Sequence, residues 1–222
     1  KGKTFRDDLY GDYKATRAKQ FNGGQACICP DYVFVPAQLK GALIAAFQAK
    51  VRENLYAEDG AIRKDSIAQI VNPANFRRVK ALVDDALGKG AEVAVGGMLE
   101  EGDLTVHPTL VTGVTPDMTI LQEEIFAPVL PIMTYDSLDA VIGHINGRDK
   151  PLALYIYATD QSVIDRVLAR TSSGGVTING VFSHYLENLL PFGGVNHSGM
   201  GSYHGHFGFK AFSHDRAVYV HQ

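Results

Sequence analysis

Apolar positions along the chain repeat with two different periods, and the periods alternate. Leu39, Leu43, Ile44, Phe47, Val51 and Leu55 recur at helical spacing and predict a helix over Ala37 to Leu55. Phe76, Val79, Leu82, Val83 and Leu87 form a second stripe. Asn72 is placed to cap it, Pro73 suits its first turn and Gly88 stops it. Leu138, Val141, Ile142 and Ile145 mark a third helix, and Val163, Ile164, Val167 and Leu168 a fourth. A weaker helical segment, Phe5 to Gln20, is interrupted by Gly11. Between these lie short apolar or alternating runs that predict strands: Tyr32 to Val35, Ala91 to Gly97, Thr109 to Val114, Val129 to Tyr135, Ala153 to Ala158, and Gly174 to Gly180 running into a turn.

Helix and strand patterns that alternate along a chain predict an α/β fold, with a largely parallel sheet and helices on its faces. No repeat or low-complexity linker divides the sequence, so residues 1–206 read as one main domain. From Phe207 the character changes, and residues 207–222 show no helical stripe. Arg216 to Val220 reads as an extended edge strand that needs a partner.

Composition narrows the class. With 45% hydrophobic residues the chain can bury a sizeable core, and a net charge of −3 argues against a nucleic-acid or membrane-surface binder. No apolar run approaches the ~20 residues of a membrane span. The first residues are polar, with no signal-peptide core, and two cysteines make no disulfide framework, so a reducing, cytoplasmic setting is expected. The chain does not begin with Met, which suggests a piece of something longer. Arg77, Arg78 and Lys80 read as a solvated helix face.

Three stretches carry candidate chemistry. In FNGGQACICPDYVFV, Cys27 and Cys29 are one residue apart. A zinc site needs about four ligands and CxC supplies two, so no metal site is expected. A disulfide between positions i and i+2 would be badly strained. Two readings stay open: a pair of small buried residues, or a nucleophile on a loop whose glycines let backbone approach a ligand. In LQEEIFAPVLPI two glutamates precede an apolar run, either as a charged loop or as a carboxylate that accepts hydrogen bonds from ligand hydroxyls. LPFGGVNHSGMG is glycine-rich but has no phosphate-loop pattern, and reads as a tight loop lining a pocket. His204 and His206 are expected to make ordinary hydrogen bonds.

Together, and in this order, FNGGQAC, QEEIFAPV and PFGG with SGMG resemble the three motifs of the aldehyde dehydrogenase superfamily. GQACICPDYVFV, RDKPLALYIYA, TSSGGVTIN, SGMGSYHGHFGF and FSHDRAV resemble its class 3, fatty-aldehyde and coniferyl-aldehyde branch. The resemblance runs from about Phe21 to Val218 and implies a three-layer α/β/α catalytic domain. It implies that Cys27 is the nucleophile, since the reactive cysteine follows Gly-Gln-x, and it assigns no role to Cys29. It further implies that Glu124 binds the nicotinamide-side ribose of NAD or NADP, that Phe126 packs near the nicotinamide, and that Phe192 lines the substrate pocket.

The implied activity is oxidation of an aldehyde, aromatic or medium-to-long aliphatic, to the acid. An acylating thiol enzyme of the same fold, or a non-catalytic assembly fragment, are the alternatives. The resemblance also implies a nucleotide-binding domain ahead of the cysteine motif, bearing the general base and most of the cofactor site. That domain is missing from this sequence, so the isolated chain is expected to be inactive. Homodimers or tetramers are expected as well. Ala127, Asn196-His197 and Asn179-Gly180 depart from the family pattern, with Asn196 standing where a glycine is usual.

Overall fold

The computed structural model describes residues 22–222. The helical segment expected over Phe5 to Gln20 lies outside the described residues. The chain divides into two compact units, Lys1–Val141 and Ile142–Gln222, a division the patterning does not announce.

In the first unit, strand β1 (Val33–Pro36) leads through a short 3₁₀ turn (Ala37–Leu39) into helix α1 (Lys40–Leu55). Helix α2 (Pro73–Gly88) follows, with Asn72 as its cap. The Asn72 side chain accepts a hydrogen bond from the Asn75 N–H at 2.8 Å. Strands β2 (Glu92–Val95), β3 (Leu99–Glu100), β4 (Thr105–Val106), β5 (Thr109–Thr112) and β6 (Val129–Tyr135) complete the unit. The main sheet is ordered β1-β6-β5-β2. β1, β6 and β5 run parallel, and β2 joins the edge antiparallel to β5. β3 and β4 form a separate small hairpin of two-residue strands, too short to carry a period in the sequence.

The layering follows from one strand. Leu110 and Val111 are neighbours on β5, and successive strand side chains point to opposite faces. Leu110 packs with Leu43, Phe47, Val51 and Leu55 of α1. Val111 packs with Phe76, Val79, Leu82 and Val83 of α2. Thus α1 and α2 cover opposite faces of the sheet, an α/β/α arrangement. Leu39 and Leu87, the outermost members of the two stripes, are exposed.

Helix α3 (Leu138–Asn146) spans the division between the units. The second unit holds β7 (Ala153–Ile156), α4 (Gln161–Arg170) and β8 (Gly175–Ile178), with β7 and β8 parallel. The short helices α5 (Ser183–Leu186) and α6 (Gly205–Ala211) follow. α6 corrects the expectation that the chain beyond Phe207 is extended. Its Phe207 and Phe209 are exposed rather than aligned on a buried face, so no stripe marks it. Arg216 to Val220 has no regular structure, and Val218, Tyr219 and Val220 are exposed. No helix among the described residues is long and apolar enough to cross a membrane.

Candidate active site

The loop carrying the cysteines is tied to itself and to two other segments. Asn22 is its hub: its side-chain oxygen accepts from the Gly24 N–H at 2.9 Å, and its carbonyl accepts from the Gln25 N–H at 3.2 Å. The Cys29 N–H closes a turn onto the Ala26 carbonyl at 2.8 Å. Ile28 between the cysteines is 5% exposed and anchors the turn in the core, while Cys27 before it is exposed. Cys29 is half-buried, with its sulfur 3.5 Å from the Asn22 side-chain nitrogen. Burial pushes the Cys29 thiol up, against the lowering effect of hydrogen bonds from Asn22 and Ala26; the nearby Cys27 and Glu124 charges push it further up. The two thiols are therefore unequal: one is open to a ligand, the other is held back.

Gln25 fastens this loop to the segment before α2. Its amide nitrogen donates to the Gln69 carbonyl at 2.9 Å, and its amide oxygen accepts from the Val71 N–H at 2.9 Å. The side chain thus pairs as a strand would. Its motif position marks Cys27, but a glutamine in a loop carries no pattern that foretells these backbone partners.

Gly23 and Gly24 lie close against the protein's own backbone, at the Ala68 and Ala127 carbonyls. Gly24 has φ +71°, and a Cβ there would lie 2.1 Å from the Ala127 carbonyl oxygen. That contact brings the cysteine loop against the loop of Glu124, Ile125 and Phe126.

The second loop is fixed on several sides. The Ile125 N–H donates to Asp31 Oδ1 at 2.9 Å, from just ahead of β1. Arg78 of α2 donates to the Glu124 and Ile125 carbonyls, so it is not part of an idle solvated face. Ile125 itself is 1% exposed. Phe126 has φ +51°, a left-handed conformation that costs a non-glycine residue on the order of 1 kcal/mol, and the residue is 37% exposed. The Glu124 carboxylate is exposed and takes no hydrogen bond or ion pair among the described residues. Cys27, Glu124 and Phe126 thus belong to one unit, on two loops in contact.

Phe192 lies in the second unit and is 8% exposed. It pairs with Tyr203 through two backbone hydrogen bonds of 2.9 Å. His184, Tyr185, Tyr203 and His204 surround its ring, with centroids 5.0–6.1 Å away. In this structure it is a core residue. His204 departs from the expectation of ordinary bonding: its Nδ1 is buried with no partner among the described residues, as is His184 Nε2. The late glycines again serve close backbone approach, since a Cβ at Gly193 would lie 2.1 Å from the Gly201 carbonyl oxygen. Asn196 has φ +56°. Asparagine tolerates that region best after glycine.

Among the described residues no group of three His, Cys, Asp or Glu side chains is placed to hold a metal ion. The model of the "Aldehyde dehydrogenase family" matches residues 13–218. The chain belongs to the aldehyde dehydrogenase family. This family member is 47% identical over 207 residues to "Putative aldehyde dehydrogenase AldX" of Bacillus subtilis, covering 93% of this chain and 46% of the relative. It is 42% identical over 211 residues to "Probable coniferyl aldehyde dehydrogenase" of Caulobacter vibrioides, covering 93% and 43%. Among solved structures, the substrate-bound state of Staphylococcus aureus AldH superposes with a TM-score of 0.84 at 35% identity, covering 98% of this chain and 46% of that one. The chain therefore spans a little under half the length of each of these three proteins.

Proposed function

We propose that these residues form the thiol-bearing half of an NAD(P)-dependent aldehyde dehydrogenase that oxidises an aromatic or medium-to-long aliphatic aldehyde. The observation that carries this reading is the exposure of Cys27 on a loop locked against the loop of Glu124. A relative from Rattus norvegicus is named "Aldehyde dehydrogenase, dimeric NADP-preferring", which supports the cofactor class. The residues fit such a group: Glu124 offers an unengaged carboxylate, suited to a ribose diol, on a backbone held from three sides.

Cys27 as thiolate attacks the aldehyde carbon and forms a carbon–sulfur bond, leaving a thiohemiacetal alkoxide. The Cys27 backbone N–H donates to that oxygen. NAD(P), when bound, would supply the two-electron acceptor for the hydride that leaves the former carbonyl carbon, which becomes a thioester carbon still bonded to Cys27 Sγ. The thioester left on Cys27 is hydrolysed by water, which releases the carboxylic acid and frees the thiol. Glu124 would hold the cofactor ribose, and Phe126 would pack beside its nicotinamide. The general base and most of the nucleotide site lie outside these residues, so the isolated chain turns over no aldehyde at a useful rate. The working enzyme is a homodimer or tetramer in the cytoplasm.

The test is made in the full-length gene product. Cys27→Ala abolishes NAD(P)-dependent oxidation across a panel of aromatic and long-chain aldehydes, and Cys29→Ala retains it. The reverse pattern overturns the assignment, and NAD(P)-dependent turnover by the isolated chain overturns the division of labour.

A further inference from the structure

The reaction just described makes no use of Arg78, yet its surroundings are not those of a surface charge. Its neighbours along α2 include Phe76 and Val79, both buried, and Arg78 is itself half-buried. Arg77, one residue earlier, is exposed. The guanidinium is a flat, permanently charged fork of donors. Nη1 donates to the Glu124 carbonyl at 2.8 Å and Nη2 to the Ile125 carbonyl at 2.7 Å. A strand sends successive carbonyls to opposite sides, so one planar fork holds both only where the chain leaves strand geometry. Arg78 therefore reads the bend itself.

Ile125 is held at every point. Asp31 accepts its N–H, Arg78 holds its carbonyl and its side chain is buried. Glu124 before it and Phe126 after it stand out from that fixed residue. Sub-ångström placement matters at such a site, because an effect from outside the chemistry that moves a contact by about 1 Å costs up to ~100-fold in rate.

We infer that Arg78 is a positioning residue for Glu124, setting through the two carbonyls where the Glu124 carboxylate meets the hydroxyls of the cofactor ribose. The inference rests on the aldehyde dehydrogenase reading of the site. Lysine keeps the charge and loses the fork, so it restores only part of the effect.

In the full-length gene product, Arg78→Ala raises the KM for NAD(P) on the order of tenfold, and Arg78→Lys falls between it and the parent. Added guanidinium ion, which can occupy the vacated fork, lowers the KM of the alanine variant. The aldehyde KM and the alkylation rate of Cys27 stay unchanged, and Arg77→Ala behaves as the parent. A parental cofactor KM in Arg78→Ala overturns the inference. So does a fall in thermal stability with equal changes in both KM values and in Cys27 labelling, which marks a merely structural role. Should the alanine variant fail to fold, Arg78→Lys carries the comparison, and a parental cofactor KM there overturns the inference. An active parent whose turnover needs no NAD(P) overturns the functional reading together with this one, which separates the two failures.

Discussion

Gly24 lies against the Ala127 carbonyl so closely that a Cβ on Gly24 would sit 2.1 Å from its oxygen. This contact joins the loop of the proposed nucleophile to the loop of the proposed cofactor carboxylate. Gly24→Ala must both adopt φ +71° and push Ala127 away. The left-handed conformation alone costs about 1–2 kcal/mol. Urea denaturation should show at least that loss, with a matching fall in aldehyde oxidation by the full-length enzyme. A variant with parental stability and activity would show that the two loops are not coupled here.

The two thiols should separate by reactivity. Cys27 is exposed, while burial pushes the Cys29 thiol up and shields it. Iodoacetamide at neutral pH should modify Cys27 first, and raising the pH should speed Cys29 by bringing it toward the thiolate. Peptide mass spectrometry reads both sites. Equal labelling, or Cys29 first, would contradict the burial argument.

Asn72 caps the helix that carries Arg78. Asn72→Ala should cost about 1 kcal/mol, whereas Asn72→Asp or Asn72→Ser should keep most of the stability. Chemical denaturation midpoints test the order, and an alanine variant no less stable than the serine variant would refute it.

His184 is 6% exposed and burial holds its imidazole below the ordinary value. Its Nδ1 is 2.7 Å from Thr177 Oγ1, and Tyr155 and Phe192 flank the ring. The unfolded chain takes up a proton at this residue near pH ~6.5, before the folded protein does. Stability is therefore full above that pH and falls as the pH drops toward the lowered folded value. His144, held down by burial and by Arg148, adds a slope of the same sign. His184→Asn cannot titrate, so its stability should fall less between pH 6.5 and 5 (about one slope unit of proton uptake removed). An unchanged pH slope would count against it.

Lys64 bridges Glu100, 2.7 Å away, and Asp103. Its ammonium holds both carboxyls below their ordinary range, with His107 adding to the effect on Glu100. That contribution is present above the ordinary carboxylate range and is lost as pH falls through the lowered values. Lys64→Met should flatten the acid limb of the stability profile, and added salt should shrink the difference because the groups are solvent-accessible. A salt-independent difference would point to packing of the lysine stem instead.

Much of this architecture was legible in the sequence because burial leaves a period. The stripes of α1 and α2 correspond to their buried faces, and Asn72-Pro73 marks a start that the structure confirms. Strand direction has no such mark, so the antiparallel β2 could not be told from its parallel neighbours. α6 was missed because its phenylalanines are exposed. At the site, the motifs singled out Cys27, Glu124 and Phe126. Of the residues that hold them, Arg78 reads in the sequence as part of a solvated helix face, and Asn22, Gln25 and Asp31 carry no assigned role, because their partners are backbone atoms, often distant in sequence. Hydrogen bonds to backbone leave no spacing to read.

The register of the central sheet sets an order of events during synthesis. Val33 of β1 pairs with Ile132 of β6, and nothing between them in the chain offers β1 another partner in that sheet. A ribosome releases the cysteine loop long before it releases β6. Until then β1 has no ladder, Gly24 has no Ala127 to rest on and Asp31 has no Ile125 to hold. Before then the nascent thiol has only the local ties of Asn22 and the pairing of Gln25 with Gln69 and Val71, and it meets the loop of Glu124 only when β6 closes the sheet, a non-local pairing of the slow kind.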